Sequence, residues 1–308
     1  MTRVCIIVSS HISKSYRLKY LCECLQSLLE QTVIVPIFLS ISFENNLVQN
    51  VYHKFMEKNG LLDNTNITTF ERKTKMSQFR HIFSVFKNIK NDYDYIMFCD
   101  DDDTYVNNRV ELFIDAIEGS LVVMDSSKKL VGVYEQKNKE THIVKFHEYW
   151  SYCISSIFIQ QFITKITDGG FDKYVDHDFF DVLFSSYLRF LDSSHVFVSY
   201  QLKLYNYRKN TTDSVVANII NTKIIDTAST HTGFISDNID VHKRNIFLHN
   251  SQGRDYNIDG VIKDSLSNEN KYLHREIMKK LCPKLVNEIN TYYHEIRQLV
   301  KYMNIYQK

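Results

Sequence analysis

Up to about residue 200, short apolar runs alternate with stretches in which apolar residues return every three or four positions. Runs of that length suit buried strands, and the spacing between them suits helices with one apolar face. Val4–Ser9 and Val33–Ile41 read as strands, Asn66–Phe70 as a short third and Tyr95–Cys99 as a fourth. Between them Leu18, Leu21, Leu25, Leu28 and Leu29 share one helical face, and Leu47–Lys58 forms a more polar helix. Phe79, Ile82, Phe83, Phe86 and Ile89 mark a third, strongly amphipathic one. Strands joined through helices require right-handed crossovers. The expectation is therefore an α/β chain with a mostly parallel sheet flanked by helices.

Farther along, Asn107–Ile117 reads as a helix, and Leu121–Met124, Leu130–Tyr134 and Thr141–Phe146 as strands. Gly169-Gly170 marks a turn between a helix over Phe158–Ile166 and the segment Asp176–Phe190. After Tyr207 the periodicity weakens, until Asn270–Met303 reads as one or two helices with Pro283 at a break or a start. A domain boundary is expected near residue 210, separating residues 1–210 from a mostly helical C-terminal region over 211–308.

Charge and composition exclude several classes. Lys plus Arg number 37 against 36 Asp plus Glu, so no net field favours nucleic acid or an anionic membrane. No apolar run approaches the roughly 18–20 residues of a transmembrane helix. The first strand begins at Val4, too soon for a secretory leader, and the expected location is cytoplasmic. The six cysteines lie inside apolar or helical patterns without a disulfide or zinc framework, and read as buried free thiols.

Four consecutive aspartates, Asp100-Asp101-Asp102-Asp103, stand directly behind the Tyr95–Cys99 strand. Like charges packed into one turn repel, so an ordered turn needs compensation. The carboxyl end of a buried strand is also where open α/β sheets bind ligands. A hard divalent ion, Mg²⁺ or Mn²⁺, is the expected compensating charge, because such ions favour carboxylate oxygens.

With these residues in view, the chain resembles glycosyltransferase family 2, nucleotide-sugar enzymes of the GT-A fold. The resemblance runs in order through Arg3–His11 as the opening strand, then Ser27-Leu28-Leu29-Glu30-Gln31 closing the first helix. It continues through the aspartates as a D-x-D motif, Ser155-Ser156-Ile157-Phe158, Gly169-Gly170-Phe171-Asp172, His177-Asp178 and Tyr207-Arg208. Two positions depart from the pattern. Ser40-Ile41-Ser42-Phe43-Glu44 stands where the family's second strand ends in an acidic residue, and His177 replaces a usual Glu.

The resemblance implies a GT-A-type, Rossmann-like sheet with a helical C-terminal appendage. It implies metal-dependent, inverting transfer of a hexosyl-type sugar from a nucleoside-diphosphate sugar, UDP-linked by preference, to a glycan, protein or small-molecule acceptor. By that correspondence Asp102 is a metal ligand with Asp103 beside it, and Asp100 faces the ribose with Asp101 in support. Ser9, Ser10, His11 and Arg80 line the nucleotide, and Asp178 takes the acceptor proton, with Asp176 and Asp181 as nearby alternatives for that base. Each residue also has a plainer role open to it. Asp176 suits a helix cap, Arg80 a surface cation pairing Glu71 or Asp92, and Trp150 a core aromatic rather than a sugar platform. Two other functions share the fold: a non-catalytic binder of sugar nucleotides or a partner, and a nucleotidyltransferase. The chain has no Gly-rich, Lys-containing phosphate loop, which counts against the last.

Overall fold

A computed structural model describes residues 2–123, 129–135, 148–189, 191, 195–200, 202–208, 239–254, 283–303 and 305. The first hundred residues alternate without interruption. The elements are β1 (Val4–Ile12), α1 (Arg17–Leu29), β2 (Ile37–Phe43), α2 (Asn46–Lys58), β3 (Ile67–Arg72), α3 (Gln78–Ile89) and β4 (Tyr95–Asp100). Then come β5 (Thr104–Tyr105), α4 (Arg109–Val123), β6 (Lys129–Glu135), a 3-10 turn at Tyr149–Ser151, β7 (Tyr152–Ser155) and α5 (Ser156–Asp168). A second 3-10 turn at Asp172–Tyr174 precedes α6 (Phe180–Arg189), β8 (His195–Tyr200) and β9 (Tyr205–Asn206). Two further helices are α7 (Ile239–Ser251) and α8 (Pro283–Tyr302).

Among the described residues the main sheet has seven strands in the order β3-β2-β1-β4-β7-β6-β8. The pairs β3/β2, β2/β1, β1/β4 and β6/β8 are parallel, whereas β7 runs antiparallel to both of its neighbours. β1 lies in the parallel half with Val4 through Val8 buried, as a strand covered on both faces must be. α3 lies against β1 and β2 through its apolar stripe of Phe79, Ile82, Val85, Phe86 and Ile89. The mostly parallel, helix-flanked sheet expected from the alternation is the architecture that forms.

Several expected elements differ in detail. Val33–Ile41 does not begin as a strand. Pro36 has no N–H for the ladder, and β2 starts at Ile37, whose N–H reaches Asn66 O at 2.8 Å. Of the expected strand Leu121–Met124, Leu121–Val123 instead close α4, with Val122 84% exposed, and Met124 lies outside the described residues. Helix does not begin at Asp176, because the chain turns through 3-10 geometry and α6 starts only at Phe180. Pro283 is a helix start rather than a break, which suits its missing N–H. Thr141–Phe146 and residues 270–282 lie outside the described residues. Five cysteines, Cys5, Cys22, Cys24, Cys99 and Cys153, are free and buried, and Cys282 lies outside the described residues.

Contacts divide the chain into two compact units, Met1–Asp181 with Leu191–Lys209, and Val182–Phe190 with Asn210–Lys308. The first holds the whole sheet. In the second, α7 and α8 lie against each other, with Lys243 bound to Glu288 at 2.6 Å. No helix among the described residues is long and apolar enough to cross a membrane.

Candidate active site

The parallel register sets Ser9 of β1 directly opposite Asp100 of β4, so the carboxyl ends of two adjacent strands open at one place. Beyond Asp100 the chain closes a tight turn, with Asp103 N donating to Asp100 O at 3.2 Å. β5 then pairs with β9, Thr104 opposite Asn206 and Tyr105 opposite Tyr205. That small ribbon carries Tyr207 and Arg208 onto the aspartate turn from a hundred residues away in sequence. Arg109 and Glu135, buried at 3.3 Å from each other, anchor the approach. Arg109 donates to Trp150 O at 2.8 Å, and Glu135 accepts from Leu204 N at 3.1 Å.

Each aspartate has a different environment. Asp100 Oδ1 accepts from Gln78 Nε2 at 2.8 Å and from the Tyr149 hydroxyl, and its own N–H donates to the Tyr205 hydroxyl at 3.1 Å. Burial first, then the Asp103 charge, pushes its pKa well up. Asp101 accepts from Ser10 Oγ at 2.6 Å and from Arg17 Nη2 at 2.9 Å. Asp102 lies 3.9 Å from the same guanidinium; burial and Asp101 raise its pKa. Asp103 Oδ1 accepts Arg208 N at 2.6 Å, while Oδ2 is buried with no well-formed hydrogen bond. Burial outweighs the relief from the Arg208 N–H and the Tyr205 hydroxyl and pushes the Asp103 carboxyl up to about 7.

The turn is therefore compensated from within the chain, by two arginines and raised proton affinity. Arg208 grips it from the other side: Nε donates to Asp102 O at 2.7 Å, Nη2 pairs with Glu23, and the guanidinium lies 4.4 Å from the Tyr20 ring centroid. No group of three or more His, Cys, Asp or Glu side chains among the described residues is arranged to hold a metal ion. Asp102 and the buried Asp103 oxygen offer two carboxylates, which fits an ion of the Mg²⁺ class that takes one or two protein carboxylates and completes its shell with substrate phosphates.

The other expected site residues are placed unequally. Ser9 Oγ is buried at the strand ends with no hydrogen-bond partner, and Ser10 is committed to Asp101. His11 lies at the end of β1 with Nδ1 2.9 Å from Ser42 Oγ and Nε2 3.1 Å from Glu44. Arg80 does not pair with Glu71 or Asp92. It donates to both Asp172 oxygens at 2.9 and 2.8 Å, to Asp172 O at 2.8 Å and to Asp176 Oδ2 at 3.0 Å. Asp176 is not a helix cap, because it accepts from Arg80 and from Ser77 Oγ at 2.9 Å. Burial would raise its pKa, and these hydrogen bonds prevail and lower it. Asp178 follows in an exposed turn before α6. Trp150 is 5% exposed, its ring near-parallel to Tyr205 at 4.0 Å and to Tyr207 at 5.9 Å, a core aromatic and not an open platform.

Sequence reading passed over Arg17 and Tyr149. Arg17 carried a signal, since a cation opening a helix opposes the macrodipole and needs a reason. Tyr149 carried none, because its partner is set by the sheet order.

No family profile matches the chain, and no curated protein sequence does. Among solved structures, S. aureus TarS is 12% identical with a TM-score of 0.44, over 96% of this chain and 55% of that one. The chain thus spans about half the length of TarS. A Pyrobaculum calidifontis mannosyltransferase, PcManGT, determined with GDP-Man and Mn²⁺, is 10% identical with a TM-score of 0.45, over 98% of this chain and 85% of that one. The 4-diphosphocytidyl-2C-methyl-D-erythritol synthase of Anaerococcus prevotii is 14% identical with a TM-score of 0.41, over 72% and 99% respectively. Likeness of this degree carries no argument about chemistry.

Proposed function

We propose that the chain is a metal-dependent, inverting glycosyltransferase that uses a nucleoside-diphosphate sugar, UDP-linked by preference. One observation carries the reading: a four-carboxylate turn at the carboxyl end of β4, beside the end of β1, in which Asp103 Oδ2 is buried with no well-formed hydrogen bond. Asp102 and Asp103 would hold Mn²⁺ or Mg²⁺, whose chemistry when bound is to stabilise charge growing on a departing diphosphate. Ser9, with its unpartnered hydroxyl, His11 and Asp100 would face the nucleoside. Ser10 and Asp101 shape the wall behind them, and Arg80 fixes the Asp172–Asp176 segment instead of reaching the phosphates. Asp178, in the exposed turn after that segment, would accept the proton from the attacking acceptor hydroxyl.

A second reading has an observation in its favour. The commitment of Asp100, Asp101 and Arg80 to protein partners also suits a non-catalytic binder of sugar nucleotides. The two separate on product release. A nucleotide-sugar panel with Mn²⁺ should raise the melting temperature for the true donor, and adding acceptor should free a nucleoside diphosphate. Binding without release would favour the binder, and pyrophosphate release a nucleotidyltransferase. With donor and acceptor found, Asp178→Asn should lower turnover by roughly 10²–10⁴-fold with donor affinity nearly unchanged. Unchanged turnover would remove Asp178 from the mechanism.

A further inference from the structure

Arg17 is the first residue of α1, where the positive end of the macrodipole disfavours a cation. Nothing in the helix offsets this, since its first turn has no acidic residue and its N-terminus no side-chain cap. The guanidinium nevertheless folds inward, with the side chain 13% exposed, to 2.9 Å from Asp101 and 3.9 Å from Asp102. Its buried Nε makes no hydrogen bond. One charge-assisted hydrogen bond, Nη2 to Asp101 Oδ1, therefore holds it there, together with the charge of the two aspartates. Ser10 Oγ donates at 2.6 Å to Asp101 Oδ2, the other oxygen of the carboxylate whose Oδ1 accepts from Arg17. The other nearby cation, Arg208, touches the turn through Asp102 O and its own backbone N–H, and pairs its guanidinium with Glu23.

We propose that Arg17 is the internal counter-cation of the aspartate turn, a positioning residue that holds Asp101 and Asp102 ready and makes divalent-ion binding conditional on the phosphates of a bound nucleotide. This rests on the glycosyltransferase reading only in taking the ligand pair to be a divalent ion and a nucleoside diphosphate. An ion arriving alone meets carboxylates that a guanidinium already neutralises, and is repelled by that same charge at close range. An ion arriving with two phosphates brings the negative charge that outweighs Arg17. Metal and nucleotide then bind as a unit, and free metal ions do not block the site.

Mn²⁺ titration followed by electron paramagnetic resonance tests this, with UDP as the nucleotide probe. Wild type should bind Mn²⁺ weakly alone and at least about tenfold more tightly with UDP. Arg17→Gln and Arg17→Met, both neutral and both able to fill the stem's space, should bind Mn²⁺ alone about tenfold more tightly than wild type, and UDP should add less. Arg17→Lys keeps the charge and should behave as wild type, which separates charge from packing. Equal or weaker Mn²⁺ binding by the neutral variants would overturn the proposal. If neither neutral variant folds in metal-free buffer, recovery of native circular dichroism on adding Mn²⁺ supports it, and failure to recover overturns it. If no nucleoside diphosphate binds, the glycosyltransferase reading and the nucleotide-dependent half of this proposal both fall; the counter-cation role is judged separately, because the contrast in Mn²⁺ affinity between wild type and the neutral variants is read without nucleotide.

Discussion

His81 shows how one side chain can be constrained by a line of neighbours. Arg72 Nε donates to Ser40 Oγ at 3.1 Å, and Ser40 Oγ lies 2.8 Å from His81 Nδ1. His81 Nε2 lies 3.1 Å from Ser42 Oγ, which is 2.9 Å from His11 Nδ1, and His11 Nε2 lies 3.1 Å from Glu44. Burial, Arg72 and His11 lower the His81 pKa to about 4. A base whose pKa falls on folding contributes stability above its unfolded value, near 6.5, and loses it progressively as pH drops towards the folded value. Asp103 works in the opposite sense. Its pKa, raised from 3.8 to about 7, adds stability as pH falls through that window. In urea titrations, Arg72 and His11 being kept, wild type should lose on the order of 2 kcal/mol more between pH 7 and pH 5 than His81→Gln does. Equal losses would mean that His81 protonates freely in the fold. At this scale the aspartates were legible because four like charges cannot be ordered without help. Arg17 showed only that a cation opens a helix, and not what it pairs with, because its partners lie more than eighty residues away and meet it through the β1/β4 register.

Among the elements, β6 packs closely on β7 at Gly132. A Cβ on Gly132 would lie 2.0 Å from Cys153 O on the neighbouring β7, and the β6/β8 register shifts between Leu130 and Gly132. The obstacle is backbone, so it cannot rotate aside. Gly132→Ala should therefore cost about 1–3 kcal/mol in urea unfolding, and a neutral result would show that β7 moves freely away. Strands and helices of the first hundred residues were readable because each carries its own period. The end of α4 was not: Leu121-Val122-Val123 have strand-like composition, yet they close the helix that begins at Arg109, with Val122 exposed. The turn before α6 was hidden for a related reason. Asp176 looks like a helix cap in sequence, but Ser77 and Arg80 of another element hold it, and the helix starts after it.

At the scale of the molecule, the division after Lys209 is not a clean cut of the chain, because Val182–Phe190 belongs with the residues beyond it. Leu183, Phe184 and Leu188 of that segment are buried. A chain ending at Lys209 keeps the segment and loses Asn210–Lys308, the rest of its unit. It should melt at a lower temperature than the full chain and bind more of a hydrophobic dye. Matching melts without added dye binding would show that the first unit closes alone. Period and composition, by themselves, determined an α/β chain with a parallel sheet and placed the carboxylates at a strand's end, since both follow from residues close together in sequence. Tertiary structure alone decided which arginine meets which aspartate, that β7 runs against its neighbours, and that the β5/β9 ribbon brings Arg208 back to the turn. Those outcomes depend on strand order and register, which join residues with no local pattern in common.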